Sequence, residues 1–253
     1  MGGDCKSPGS AFEGSNPSPA TSNTQLNWSD TSDSFKLRGA MQIREALEQF
    51  AQGKFVIITD DESRENEGDL MLLAEKATTE SLGFMVRYTS GVICVALTLE
   101  RASRLLLPPM VERNEDEKRT AYTVSVDVLK GHTTGISAQE RANTIRQLAN
   151  MEALSSDFMR PGHVFPLTGH PLLLEGRQGH TEAGIVMAQL VGASPVTALS
   201  EIVMDDGSMA RGKELDQFAS KHEIPMFTLE ELRLYARVNL EVTQQRVLGV
   251  SAT

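Results

Sequence analysis

The sequence predicts one mixed α/β domain of about 200 residues. Three observations lead there: helical and strand periodicities alternate from Leu37 onward, no long linker breaks residues 37–237, and no internal repeat is present. With 253 residues, 40% of them hydrophobic, the chain can bury a sizeable core.

In chain order, residues 1–36 are rich in Ser, Gly, Asn and Pro and hold too little apolar surface to offset the entropy of ordering, so they read as a disordered tail. Ile43, Leu47 and Phe50 recur at helical spacing, and Gly53 is a natural stop. Residues 55–59 read as a short buried strand, 78–87 as a helix opening on a Thr cap, and 91–98 as a second strand. In TAYTVSVDVL (120–129), Tyr122, Val124, Val126 and Val128 share one face, the period of a half-buried strand. Capping boxes at Ser137 with Glu140 and at Thr228 with Glu231 mark two helix starts. PVTALSEIV (195–203) is a further strand, ending in the turn Asp205-Asp206-Gly207. Residues 37–238 form the domain on this reading, and 239–253 a C-terminal tail.

A formal net charge of −10 argues against a phosphate-tracking surface, which excludes DNA and RNA as expected partners. The two cysteines, Cys5 and Cys94, stand far apart, so neither a disulfide framework nor a four-thiolate zinc site is expected. Cys94, inside GVICVAL, reads as a small buried hydrophobe, with a thiol bordering the site as the alternative. No stretch reaches the roughly 18 apolar residues of a membrane span, and the N-terminus has neither a secretory core nor the arginines of a transit peptide. The expected setting is the reducing cytoplasm, with no membrane partner.

Four segments carry candidate chemistry, each read as a loop or element end. DDESRENEGD (60–69) crowds acids directly behind an apolar strand, and Asp/Glu oxygens are ligands for a hard divalent cation; the local sequence alone favours the bland alternative, a solvated acidic turn after a strand. RPGHVFPL (160–167) fixes the backbone before His163, though a lone histidine beside apolar residues is more often structural than catalytic. EGRQGHTEAG (175–184) combines Arg177, a helix start that Thr181 would cap, and His180 as a metal-ligating imidazole, which together make a phosphate cradle; an ordinary capped helix with a surface Arg is the alternative. GHTTGIS (131–137) offers hydroxyls, with Thr134 and Ser137 as lesser phosphate candidates or plain caps. Dinucleotide, P-loop, serine-hydrolase and zinc-protease motifs are absent from the sequence. What remains is a carboxylate-plus-histidine cation site beside an anion cradle, pointing to a small phosphorylated substrate.

DDESRENEGD, SGVICVALT, TAYTVSVD, TTGIS, RPGHVFPL, GRQGHTEA and SEIVMDDGSMAR also stand in the order and spacing of one family. Over about residues 38–236 the chain resembles 3,4-dihydroxy-2-butanone-4-phosphate synthase. The resemblance implies a three-layer α+β domain with a mixed β-sheet and flanking helices, a homodimer, and Mg²⁺ (or Mn²⁺). It implies a lyase of riboflavin biosynthesis that converts D-ribulose 5-phosphate to 3,4-dihydroxy-2-butanone 4-phosphate and formate. Carried onto this sequence, the metal ligands are Glu65 and His180. Substrate contacts are Arg64, Glu65, Asp69, the run Arg177, Gln178, Gly179, His180, Thr181, and Glu201. His163 and Glu201 match the positions essential for catalysis. Asp69 and Glu67 join them as candidates for the several proton transfers the reaction needs. The acidic loop, with Gly68 in it, is the candidate for closing over substrate. His132 and His170 match no family requirement. Some relatives carry a second, GTP-cyclohydrolase domain whose zinc cysteines this chain lacks, so a single activity is expected. Rival readings are another metal-assisted sugar-phosphate lyase or isomerase, and a non-catalytic sugar-phosphate binder.

Overall fold

The computed structural model describes residues 31–61 and 64–247. Seven strands build one sheet: β1 (Val56–Thr59), β2 (Gly68–Leu73), β3 (Cys94–Leu97), β4 (Val126–Val128), β5 (Phe158–Thr168), β6 (Val196–Glu201) and β7 (Met226–Thr228). Their spatial order is β4-β5-β3-β6-β2-β1-β7. The sheet is mixed: β3 pairs with β5 and β1 with β7 in parallel, and the other neighbours are antiparallel. The helices are α1 (Thr31–Ala51), α2 (Thr79–Tyr88), α3 (Leu99–Arg104), α4 (Ala138–Ala149), α5 (His180–Leu190), α6 (Lys213–His222) and α7 (Leu229–Val247).

Strand alternation divides the core into two clusters. Ile57, Leu70, Leu72, Val95 and Ala198 pack with α2, α4 and α6 on one face, while Val56, Ile58, Met71, Ala96 and Leu199 pack with α1, α5 and α7 on the other. The result is the expected three layers, and it explains why the central strands read as continuous apolar runs: both faces are covered. Each fully buried aliphatic side chain contributes about 1.5–3 kcal/mol. No helix among the described residues is long and apolar enough to cross a membrane.

Most local expectations hold. Thr78 caps α2, accepting from the Ser81 N–H, and Thr228 and Glu231 exchange both bonds of a capping box. At α4 the Glu140 N–H donates to Ser137, but the Glu140 carboxylate reaches back to the Thr133 N–H and hydroxyl and to the Ser137 hydroxyl.

Several expectations need correcting. RPGHVFPL is not a loop: residues 160–167 lie inside β5. Its partner β4 keeps only three residues, and between the pairs Val126↔Val164 and Asp127↔Met159 the register breaks, so residues 160–163 bulge from the ladder. Tyr122 is out of phase with Val124 and Val126: it packs in the cluster holding Cys94, and they pack in the other. Gly68 is no loop hinge but the buried first residue of β2, paired with Thr59. α1 begins at Thr31, inside the stretch read as a tail, and α7 runs to Val247, into the stretch read as a C-terminal tail; no proline interrupts either helix. Up to residue 30, the segment read as an N-terminal tail lies outside the described residues, as does Glu62.

Candidate active site

The acidic segment is a hairpin loop. β1 and β2 pair from Val56↔Met71 to Thr59↔Gly68, which brings Asp60 and Glu67 together at one end of the sheet. Asp60, 7% exposed, ties the loop: it accepts the Glu67 N–H at 2.9 Å and an Arg64 guanidinium N–H at 3.1 Å. Arg64 also lies 3.4 Å from Glu65. Next door Asp69 pairs across the ladder with Glu201 of β6, and Glu201 Oε2 accepts the Ser90 hydroxyl at 2.8 Å.

α5 points its first turn at these acids. Its N-cap is Gly179, without a side-chain cap, so Thr181 lies within the first turn instead of capping it. The early N–H groups of the helix are left free for an anion. Thr181 is buried and lines the pocket together with Arg64, Glu65, Asp69, His180 and Arg177. Arg177 is held by Glu182 at 2.8 Å and reaches the Lys118 carbonyl at 3.1 Å.

The electrostatics favour a missing positive charge. Burial pushes the Asp69 carboxyl well above the usual carboxylate range, and Glu201, Glu65 and Asp60 add to the shift. Glu67 is raised as well, by burial, against the pull of Arg211 at 2.6 Å. Burial pushes the His180 imidazole down, leaving it in the neutral form that ligates metals. Asp69 Oδ1 and His180 Nε2 are buried without hydrogen-bond partners among the described residues, and 3.6 Å separates Asp69 Oδ1 from His180 Nδ1. One ligand atom each from Asp60, Glu65 and His180 lie within 4.8 Å of one another. Two oxygens and a neutral nitrogen beside orphaned polar atoms fit a divalent cation.

Of the residues named from sequence, Arg64, Glu65, Glu67, Asp69, Arg177, His180, Thr181 and Glu201 converge on this pocket. Gln178 and Gly179 flank it without lining it. Thr134 and Ser137 are engaged elsewhere with Glu140, and His163 lies outside the pocket, 2.7 Å from Asp127. Sequence reasoning missed Asp60 as a cation-site member, though it had counted the residue among the crowded acids. It also missed Tyr122, which lines the pocket beside Cys94 and whose signal was hidden in a strand pattern. Burial raises both the Cys94 thiol and the Tyr122 hydroxyl, so Cys94 is both buried and at the site's edge.

A cation-competent acidic loop facing a helix start open to an anion, on a covered mixed sheet, is the arrangement of a metal-assisted enzyme for small anionic substrates. Known proteins narrow this class. The profile of the 3,4-dihydroxy-2-butanone 4-phosphate synthase family matches residues 44–235. The enzyme of that name from Hamiltonella defensa is 44% identical over 79% of this chain and 92% of its own length, and that from Candida albicans is 47% identical over 76% and 95%. A solved 3,4-dihydroxy-2-butanone 4-phosphate synthase in complex with two magnesium ions superposes with a TM-score of 0.73 at 45% identity, covering 75% of this chain and 94% of that one. This chain belongs to the 3,4-dihydroxy-2-butanone 4-phosphate synthase family.

Proposed function

We propose that the chain is a lyase that converts D-ribulose 5-phosphate to 3,4-dihydroxy-2-butanone 4-phosphate and formate, in riboflavin biosynthesis, with Mg²⁺ (or Mn²⁺). One observation carries the reading: His180 Nε2 and Asp69 Oδ1, buried and without partners among the described residues, belong to side chains that line the same pocket as Thr181 at the start of α5. Glu65 and His180 would hold the cation, with Asp60 beside them. When bound, the cation supplies Lewis-acid stabilisation of negative charge developing on substrate oxygens.

The chain's own groups divide the remaining work. The free N–H groups at the start of α5, with the Thr181 hydroxyl, bind the phosphate, and Glu182 keeps the Arg177 fork aimed at the same corner. Phosphate binding there supplies energy remote from the reacting carbons. Asp69, whose carboxyl burial raises above the ordinary carboxylate range, is suited to take a proton from carbon and return it; Glu201, its partner across the ladder, and Glu67 line the same pocket and share that work.

His163 belongs to the reading through a homodimer. Its side chain is 42% exposed and outside its own pocket, so a second copy would bring it to substrate. A cytoplasmic setting completes the reading and agrees with the free Cys94 thiol. Offering D-ribulose 5-phosphate, ribose 5-phosphate and xylulose 5-phosphate separately should give formate from the first alone; formate from none removes the synthase reading. Mixing inactive His163→Ala and Glu65→Gln chains should recover activity. Failure to recover any, or a mass of one chain by light scattering, would sink the shared site.

A further inference from the structure

Two features stand outside the pocket: His163 and the GHTTGIS turn. They meet at Asp127. This carboxylate, on β4, is 2% exposed. Its Oδ1 accepts the His163 backbone N–H at 2.9 Å, and its Oδ2 lies 2.7 Å from the ring Nδ1. An ionised carboxylate only accepts, so the shared proton resides on Nδ1. Nε2 has no partner among the described residues. Nearby Arg141 is buried, and the Asp127 charge offsets part of what burial takes from it.

The turn closes over this pair. Gly135 has φ +79°, and a Cβ there would stand 2.0 Å from Asp127 Oδ2 and 2.7 Å from His163 Nδ1. Only glycine fits that backbone against the hydrogen bond. Glu140 anchors the turn by accepting the Thr133 N–H at 2.6 Å and the Thr133 and Ser137 hydroxyls at 2.9 Å each. On the other side the bulge is pinned by the Gly162 N–H donating to Ser125 Oγ at 3.1 Å. The ring is therefore fixed by β4, the turn that soon follows it, and the bulge of β5 some 36 residues later, and its Nδ1 side faces Asp127 and Gly135.

We propose that Asp127 is a positioning residue that holds His163 as the Nδ1-protonated tautomer, so that the lone pair of Nε2 faces outward as proton acceptor, with the GHTTGIS turn as the wall of the dyad. The inference rests on the role given to His163 above. In the transfer, a substrate proton passes to Nε2 while its bonding electrons stay on the substrate. The resulting imidazolium is paired with the Asp127 carboxylate until the proton is returned. Asparagine at 127 presents an N–H to Nδ1 and turns the ring to the opposite tautomer, with Nε2 protonated and unable to accept.

The test is nitrogen NMR of ring-labelled histidine in the full chain with Mg²⁺, the His163 signals being identified by their loss in His163→Ala. In the neutral ring wild type should show Nδ1 protonated and Nε2 bare, and Asp127→Asn the reverse. kcat should fall about a hundredfold in Asp127→Asn with little change in KM, and Asp127→Glu should regain part of it. Nε2 protonated in the neutral ring of the wild type overturns the proposal alone, whether or not the variant folds. Full activity in His163→Ala overturns the role of His163 and this proposal with it.

Discussion

Replacing Asp69 by Asn is expected to abolish activity and yet stabilise the metal-free protein. Asp69 is 3% exposed, its Oδ1 lacks a partner, and the charges that raise its carboxyl pKa are Glu201, Glu65 and Asp60, all negative. His180, the nearest base at 3.6 Å, is kept neutral by its own burial and returns little. Keeping a buried carboxylate charged among like charges costs on the order of 1–3 kcal/mol, and the neutral amide of Asn removes that charge. For a domain of this size that is about 2–12 °C in melting temperature.

The pH dependence follows from the direction of the shift. Because the folded carboxyl titrates above its ordinary 3.8, the folded state binds more protons than the unfolded one, and wild-type stability falls as pH rises from there through the folded value. The Asn variant should match wild type near that ordinary value and exceed it at neutral pH. Thermal denaturation in EDTA at both pH values measures this, and added Mg²⁺ should narrow the gap by stabilising wild type. An Asn variant that melts below wild type in EDTA at neutral pH would refute the reasoning.

Three more expectations follow from the geometry. Donors led by the Thr133 N–H hold the Glu140 carboxyl down to about 2 from an ordinary 4.5, so its contribution is present above about 4.5 and lost as pH falls toward 2; Glu140→Gln should lower stability at neutral pH and flatten that acid loss, measured by acid unfolding. Gly184→Ala would set a Cβ 3.0 Å from Thr197 Cβ, wedging α5 off β6 at about 1–3 kcal/mol in chemical denaturation; an unchanged midpoint would show that the helix shifts freely. Thr181→Ala should raise KM for the sugar phosphate more than it lowers kcat, and an unchanged KM would remove the phosphate from the start of α5.

The layered sheet was legible because buried strands leave apolar runs and helix starts leave capping residues, as at Thr78 and Thr228. The acid cluster and the GRQGHTEA corner were legible through the family resemblance of their motifs, since composition alone left a solvated acidic turn and an ordinary helix start open. What stayed hidden depended on tertiary placement. Pro161, Gly162 and Pro166 contradict a strand locally, yet β5 absorbs them through a bulge and the pairing of β3. Tyr122 fits a period-two face in sequence but turns to the pocket, because regular pairing of β4 begins only at Val126. Asp60 looked like one acid among six, and only its position beneath Glu65 and His180 sets it apart.

The most direct test of the account is formate release from purified protein with D-ribulose 5-phosphate, run once with Mg²⁺ and once with excess EDTA. The account predicts formate with Mg²⁺ and none with EDTA. Equal formate under both conditions would contradict the cation site built on Glu65 and His180, and no formate under either would contradict the reaction itself.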